Sequence, residues 1–550
     1  MLFNLIQDVL LLLFLISAFQ VVSQRHRDVY GFVVRKEEKV VLDGSQGLTT
    51  MIGRLRINDI HINKPDVPRK AAALTFDQKG HTMEVETLSK GGRYENNDYI
   101  IGGQRFHFSL PVNNQFRLSG MMPVFFTIGF IGFKAYCMYQ EFPLTSMFII
   151  HGILIAYVLL SMILRSDHAP IIESIFAIFL TYYIEATLYP ALTNSEALAG
   201  CLRDSLIGVG VYVGMALIFS NFMKLDVNKA IGKKSLHQYL RIMALAGIIG
   251  LIVLNIVLAK VKYGAYNWIT IGGMTFQPSE IVKLVYLLAL VVPQRQLFND
   301  RTNLIYTFGM TSIVFAYAVL IKDSGLLMQL GCLFIISVWL QNTDLLLIAI
   351  IILSTMVGAK AILKLSSTAA YRFTNWMGEG NTIFQILTGS GSLATHNGYG
   401  YQSVHALVAA FSNGGLLGNS SFDTLKGVMA ANSDLVMGLL AQRHGAIFLF
   451  IMLLMVMLLI YTTFNSLQQQ NRFQQVMTAL SIAGIIFAII LNMGGTFSII
   501  PLTGVVLPGI SKGISAAICY GGMFGIICAS GVSSSYYKLI NERKAGMTNE

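Results

Sequence analysis

Apolar stretches of about twenty residues follow one another from residue 120 almost to the end of this chain, separated by polar loops. This pattern constrains the fold more than anything else in the sequence. About twenty helical residues cross the hydrocarbon core of a bilayer, and no soluble core needs so many runs of that length. Segments near 120–139, 144–164, 170–191, 204–222, 241–260, 279–296, 303–321, 325–341, 343–363, 443–464, 474–498 and 513–533 predict spans. A first one, "LFNLIQDVLLLLFLISAFQVV", lacks a basic leader and a small-residue cleavage site, so it reads as an uncleaved anchor over residues 1–23. The expected fold class is a polytopic α-helical membrane protein with about thirteen transmembrane helices. The charged fraction of 12% excludes an ordinary soluble globule, in which about a quarter of residues are charged.

The formal net charge of +11 does not point to nucleic acid, because the basic clusters "RHRDVYGFVVRKEEK" and "KLDVNKAIGKKSLHQYLR" flank apolar segments. Basic loops of this kind stay on the cytoplasmic side. Placing "NFMKLDVNKAIGKKSLHQYLR", "PQRQLFNDR", "QQQNRFQQ" and the tail 536–550 inside leaves one long outer loop, 364–442, and puts the N-terminus outside. Cys137, Cys201, Cys332, Cys519 and Cys528 are scattered without CxxC spacing, so they read as small buried residues.

Between the anchor and the later spans, residues 24–112 change character. Charges return, and "HTMEVETL" and "RFHFSL" alternate with period two between turn signals such as "DQKG" and "SKGG". That is the pattern of a small β-sandwich. "TTMIGRLRINDIHINKPDVPRKAAALTF" and "NDYIIGGQRFHF" resemble a forkhead-associated (FHA) domain. The resemblance implies phosphothreonine binding through Gly-Arg and Ser-x-x-His. Gly53 and Arg54 match, whereas Pro68 and Ala71 stand where the Ser and His belong. The module is therefore expected to be cytoplasmic and to dock a protein partner without phosphopeptide affinity, with Arg54 as a degenerate phosphopeptide residue. The spans 118–166 join it to the core.

Four stretches are unlike ordinary spans. In "YGAYNWITIGGMTFQPSEIVKL", Glu280 and Lys283 lie i, i+3 on one helix face, and they read either as a structural ion pair or as part of a lipid-facing site. In "LIKDSGLLMQLG", Asp323 reads as a helix cap. "NGYGYQSVHALVAAFSNGGLLGNSSFDTLKGVMAANSDLVMGLLAQRHG" carries a carboxylate, Asp434, just before an apolar run. "NMGGTFSIIPLTGVVLPGISKG" breaks the backbone between two spans, which is tolerable only against protein or a water-filled cavity, so it is expected to line a cleft beside the third.

In this order the four stretches resemble the SEDS family (shape, elongation, division and sporulation), of the RodA and FtsW type. The resemblance rests on Gly264, Ala265, Trp268, Ile269, Gln277, Pro278, Ser279, Glu280 and Lys283, and on Asp323 with Gly325. It continues through Gly400, Tyr401, Gln402, Gly414, Gly415 and Gly418, then Ser433 to Met437, and ends on Asn492, Gly494, Pro501, Thr503, Gly504, Leu507, Pro508 and Ser511. It spans 167–535 and implies a ten-helix core. It also implies an activity: a peptidoglycan glycosyltransferase that polymerises lipid II at the outer face, releases undecaprenyl pyrophosphate, and works with a class B penicillin-binding protein in elongation, division or sporulation.

Asp434 corresponds to the residue on which SEDS activity depends. A carboxylate there can accept the proton of the attacking sugar hydroxyl, or it can hold a divalent metal, Mg or Mn, against the pyrophosphate. The expected substrate-binding residues are Trp268, Glu280, Lys283, Arg372, Gln402 and Lys512. Arg372, Lys512 and Arg443 are the outer-face cations available to a pyrophosphate. Where the family has an acidic pair, this chain has Gln442, Arg443 and His444, and Asn267 replaces an Arg. A basic Arg443 beside Asp434 would lower its pKa. Two other readings stand beside this one: a non-catalytic SEDS-fold scaffold of a cell-wall complex, and a transporter of lipid-linked precursor. The transporter would require intramembrane charges on both sides of a cleft, whereas the ionisable residues here gather at outer helix ends.

Overall fold

In the computed structural model the described residues are 2–28, 30–35, 38–43, 49–53, 60–61, 67–69, 71–77, 82–87, 92–95, 98–101, 104–109, 116–141, 144–164, 169–189, 195–222, 230–231, 234–262, 265–271, 274–291, 301–341, 353, 364, 370–374, 376–377, 401–419, 425, 427–467 and 472–529. The chain divides into two compact units. One contains Met1–Leu15 and Pro123–Val532, and the other is built on Ile16–Met122.

In the second unit the period-two segments become strands. A five-stranded sheet has the order β2 (Glu38–Asp43), β1 (Tyr30–Arg35), β9 (Gln104–Ser109), β8 (Asp98–Ile101), β7 (Gly92–Glu95). A four-stranded sheet has the order β4 (Ile60–His61), β3 (Thr49–Gly53), β5 (Ala72–Asp77), β6 (Thr82–Thr87). The first and last strands, β1 and β9, are antiparallel neighbours with Phe32 opposite Ser109.

The apolar runs become helices: α1 (Leu2–Asp28), α2 (Phe116–Glu141), α3 (Ser146–Leu164), α4 (Ala169–Leu188), α5 (Ser195–Phe222), α6 (Leu236–Leu258), α7 (Pro278–Val291), α8 (Arg301–Leu320) and α9 (Ser324–Gln341). Then come α10 (Tyr401–Leu407), continued by a π-helical turn over Val408–Asn413, α11 (Val436–Leu467), α12 (Arg472–Thr496) and α13 (Ile514–Cys528). Among the described residues seven helices are long and apolar enough to cross a membrane, and four shorter apolar ones accompany them. The expected span at 343–363 falls outside the described residues except for Leu353, which is helical.

The core of the first unit forms around α4, whose span Pro170–Leu188 is wholly buried, and α13, most of whose side chains are buried. Gly521 and Gly525, four residues apart, let α13 approach α5 closely: a Cβ at Gly525 would lie 2.5 Å from the Ala216 carbonyl oxygen. In lipid, where burial against water no longer drives helix association, such small-residue faces permit the close van der Waals packing that holds helices together. Phe176 of α4 stacks on Phe524 of α13 at 4.5 Å between ring centroids.

Two boundaries differ most from expectation. α5 begins at Ser195, not 204, because its first three turns carry Glu196, Arg203 and Asp204, which hydropathy reads as loop. α11 begins at Val436, not 443, and is interrupted at Gly445, where φ is 85° and ψ −176°. Before α6, β10 (Ala230–Ile231) pairs with β11 (Lys234–Ser235), and before α7 the Trp-bearing segment forms three antiparallel strands, β12 (Lys260–Lys262), β13 (Ala265–Ile271) and β14 (Met274–Phe276).

Candidate active site

The turn that leads into α11 is fixed by its main chain. The Asp434 carbonyl accepts hydrogen bonds from Asn492 Nδ2 at 2.9 Å and Thr496 Oγ1 at 3.1 Å, both on the last turns of α12. Asn492 Nδ2 also donates to the Val505 carbonyl at 2.8 Å. Ser511 Oγ donates to the Ser433 carbonyl at 2.6 Å and accepts from the Leu507 amide, while the Lys512 amide donates to the Asn432 carbonyl. Gln402 Nε2 braces the same turn through the Met429 carbonyl at 2.8 Å. The irregular backbone 497–513 is thus tied against the Asp434 turn, as its Pro/Gly pattern implied, and these bonds satisfy polar groups that lipid cannot.

Asp434 is not the cap of α11. Leu435 holds that position, its carbonyl accepting from the Gly438 and Leu439 amides. The carboxylate is partly exposed and faces Arg372, whose Nη1 donates to the Thr503 carbonyl at 2.9 Å. Gly504, at φ 72°, lies between the two: a Cβ there would be 3.5 Å from Nη1 and Nη2 of Arg372 and 3.5 Å from Asp434 Oδ2. Burial pushes the Asp434 carboxyl up to about 6, against the opposing pull of the Arg372 charge and a hydrogen bond from Ser433, with Asp323 and Glu280 adding to the rise. The expectation that Arg443 would lower this pKa is overturned. Arg443 is engaged by Glu185 and Glu141, and the cation at Asp434 is Arg372.

A second cluster adjoins the first. Glu280 and Lys283 form the expected ion pair at 2.7 Å, and Lys283 Nζ also donates to Gln329 Oε1 at 2.6 Å and to the Tyr520 hydroxyl. Asp323 caps α9 as expected, accepting the Leu326 amide at 2.8 Å on Oδ1, and Asn267 Nδ2 donates to its Oδ2. The Asp323–Gly325 turn packs directly on the irregular segment, where a Cβ at Gly325 would lie 2.9 Å from the Thr503 carbonyl oxygen. Trp268 sits half-buried in β13 next to Asn267.

Of the expected site residues, the structure brings Asp434, Arg372, Glu280 and Lys283 to one region. Gln402 supports the Asp434 turn from behind. Lys512 joins by its main chain, but its ammonium is 3.1 Å from Asp204 on α5 and is not among the groups acting on Asp434. Arg54 lies outside the described residues, while Gly53 ends β3 and Ala71 is buried. Sequence reading missed the positioning roles of Thr496, Asn492 and Ser511, although the last two belong to the pattern quoted for the resemblance.

Among the described residues no three His, Cys, Asp or Glu side chains come together as metal ligands. A cation at Asp434 would have that carboxylate as its ligand and would need further oxygens from a bound ligand or water, a mode Mg²⁺ uses. The arrangement as built is a partly desolvated carboxylate of raised pKa beside a guanidinium. It can take a proton from a hydroxyl and hold an anionic group on neighbouring sides of Gly504.

A family model described as "Cell cycle protein", covering FtsW, RodA and SpoVE, matches residues 172–535. The chain is 27% identical over 319 residues to the probable peptidoglycan glycosyltransferase FtsW of Bacillus subtilis (strain 168), covering 56% of this chain and 75% of that one. It is 25% identical over 309 residues to the peptidoglycan glycosyltransferase RodA of Mycobacterium tuberculosis (strain ATCC 25618 / H37Rv), covering 52% and 62%. Among solved structures it resembles a chain of a peptidoglycan synthase complex (TM-score 0.46, 16% identity, 64% of this chain and 96% of that one). It also resembles Thermus thermophilus RodA (TM-score 0.40, 16% identity, 64% and 94%).

Proposed function

The chain belongs to the FtsW, RodA and SpoVE family of cell cycle proteins, and we propose that it is a peptidoglycan glycosyltransferase in which Asp434 carries the polymerisation of lipid II. The observation that carries this reading is the Asp434 carboxylate itself: partly exposed, raised to about 6, and set beside Arg372 at Gly504.

In the reaction a sugar hydroxyl attacks an anomeric carbon. The new C–O bond forms as the bond to undecaprenyl pyrophosphate breaks, and the hydroxyl proton passes to Asp434. A base of pKa about 6 is ionised at neutral pH yet stronger than an ordinary aspartate, which suits the task. Arg372 offers its charge to the departing pyrophosphate. The guanidinium beside Asp434 favours the proton-acceptor role over a metal-ligand role, because a divalent cation would have to share the space with it. Glu280, Lys283 and Trp268 supply the wall towards α7, and Gln402 and Lys512 hold the turn.

The finer expectations rest on the resemblance. They are a ten-helix core within about thirteen spans, a cytoplasmic FHA-like module that docks a protein partner, and a class B penicillin-binding protein that cross-links the product. The two sheets of the module support the β-sandwich reading.

The test is polymerisation of lipid II in liposomes by wild type and Asp434→Asn, each with a chelator and with added Mg or Mn. Glycan strands from the wild type alone, with or without chelator, support the base reading. Strands that require metal transfer Asp434 to the metal-ligand role. No strands from either protein, even with a class B penicillin-binding protein added, favour the scaffold reading.

A further inference from the structure

The residues that depart from the family pattern, Gln442, Arg443 and His444, sit at a break in the helix that carries Asp434. Gly445 interrupts α11, so 436–444 is a short helical segment with Asp434 at its head and Arg443 and His444 at its foot. The loop 414–419 inserts at the break: the Asn419 amide donates to the Gln442 carbonyl, and the Ala446 and Ile447 amides donate to the carbonyls of Gly415 and Leu416. Gly418, at φ 82°, is needed there, since a Cβ would overlap the Arg443 carbonyl.

A helix break inside a bilayer leaves carbonyls that only protein can satisfy. Besides the Asn419 amide, one group that satisfies them comes from the first helix. Asn4 Nδ2 of α1 donates to the Arg443 carbonyl at 2.7 Å and to the Leu417 carbonyl at 3.0 Å.

The side chains at the foot point to the same helix pair. Arg443 pairs with Glu185 of α4 and, at 2.6 Å, with Glu141 of α2. Lys134 of α2 lies 2.7 Å from the other oxygen of Glu185, 3.3 Å from His444 Nε2 and 3.2 Å from Gln7 Oε1 of α1. Lys134 and Glu185 are almost wholly buried. The two cations and two carboxylates neutralise one another only as a set, and charges in hydrocarbon are tolerated only when so paired. The arrangement is therefore kept or lost as a whole. Both α1 and α2 lie outside the region that matches the family, and they are the helices that lead into and out of the strand-rich unit.

We propose that α1 and α2 form a built-in clamp on the Asp434-bearing segment, with Asn4, Lys134 and Glu141 as positioning residues for the reaction. This rests on the reading of Asp434 as the reactive residue. α4 and the break at Gly445 provide fixed points, and a shift of α2 at Lys134 tilts the 436–444 segment and displaces its head.

The test uses the full chain reconstituted in liposomes with lipid II, comparing wild type, Asn4→Leu, Lys134→Met and the conservative Lys134→Arg. Hydrogen–deuterium exchange and steady-state kinetics are read together. Lys134→Met and Asn4→Leu are expected to speed exchange in peptides covering 430–444 while α5 and α13 stay protected, and to lower kcat about tenfold with KM within about twofold, as a small misplacement of a reacting group would. Lys134→Arg, which keeps the positive charge against Glu185, is expected to hold both near the wild-type values. The proposal is overturned if exchange at 430–444 is unchanged, if it rises equally across the core, or if KM rises while kcat holds. A wild type without polymerase activity but with the local exchange response would instead refute the assignment of Asp434 and leave the clamp standing.

Discussion

Replacing Arg372 by glutamine removes the cation facing Asp434 and is expected to move the acid limb of the pH–rate profile upward. The two guanidinium nitrogens and Asp434 Oδ2 each lie 3.5 Å from the point a Gly504 Cβ would occupy. They are therefore at most about 7 Å apart, where unit charges at an effective dielectric of about 20 interact by roughly 2.4 kcal/mol. Partial exposure reduces this to about 1–1.5 kcal/mol, close to one pKa unit. The carboxyl stands at about 6 with Arg372 present, so the variant's limb is expected near about 7. The assay is polymerisation of fluorescent lipid II from pH 5 to about 8.5. The deficit caused by titration should be about tenfold at pH 5.5, about twofold at pH 7, and absent at pH 8.5, where both carboxylates are ionised. If Arg372 served only the pyrophosphate, the loss would be the same at every pH. A limb that stays near 6, or moves down, refutes the electrostatic pairing.

Four other outcomes can be checked on the purified protein. The folded pKa of Asp434 is raised above its ordinary value, so its charge costs stability at neutral pH and the cost fades as pH falls through about 6; Asp434→Asn is expected to be about 1–2 kcal/mol more stable at pH 7.5 and no more stable near pH 4, read by thermal shift in detergent. Lys283→Met leaves the buried Glu280 unpaired and should cost about 3–5 kcal/mol, whereas the double variant with Glu280→Gln should cost clearly less in the same assay. Gly504→Ala strains a left-handed position by about 1–2 kcal/mol and places a methyl between Arg372 and Asp434, so polymerisation should fall more than stability does. Asp323→Ala removes the α9 cap and the partner of Asn267, a loss of about 1–2 kcal/mol by thermal shift.

Features that depend on near neighbours in the chain were legible from sequence. The spans follow from local hydropathy, the Glu280–Lys283 pair from helical spacing, the Asp323 cap from its place before Ser324 and Gly325, and the strands of the 24–112 segment from alternation. Features that depend on distant partners were not. Arg443 looked like a stray cation beside Asp434, because its counter-charges Glu185 and Glu141 are far earlier in the chain. For the same reason hydropathy started α11 too late: Gln442, Arg443 and His444 read as an interruption of an apolar run, while the structure neutralises them inside it. The pairing of Arg372 with Asp434 had no local signal, since it is made through the backbone of Gly504. Asn4, which satisfies the helix break, looked like any polar residue at the start of an anchor.

The most direct test of the central claim is the amount of undecaprenyl pyrophosphate released per sugar bond formed, measured by mass spectrometry alongside glycan strands from the purified full chain and its Asp434→Asn variant. The account predicts about one released per bond from the wild type and, for the variant, a loss of both products by a factor of about a hundred or more. Equal release from both proteins would contradict it.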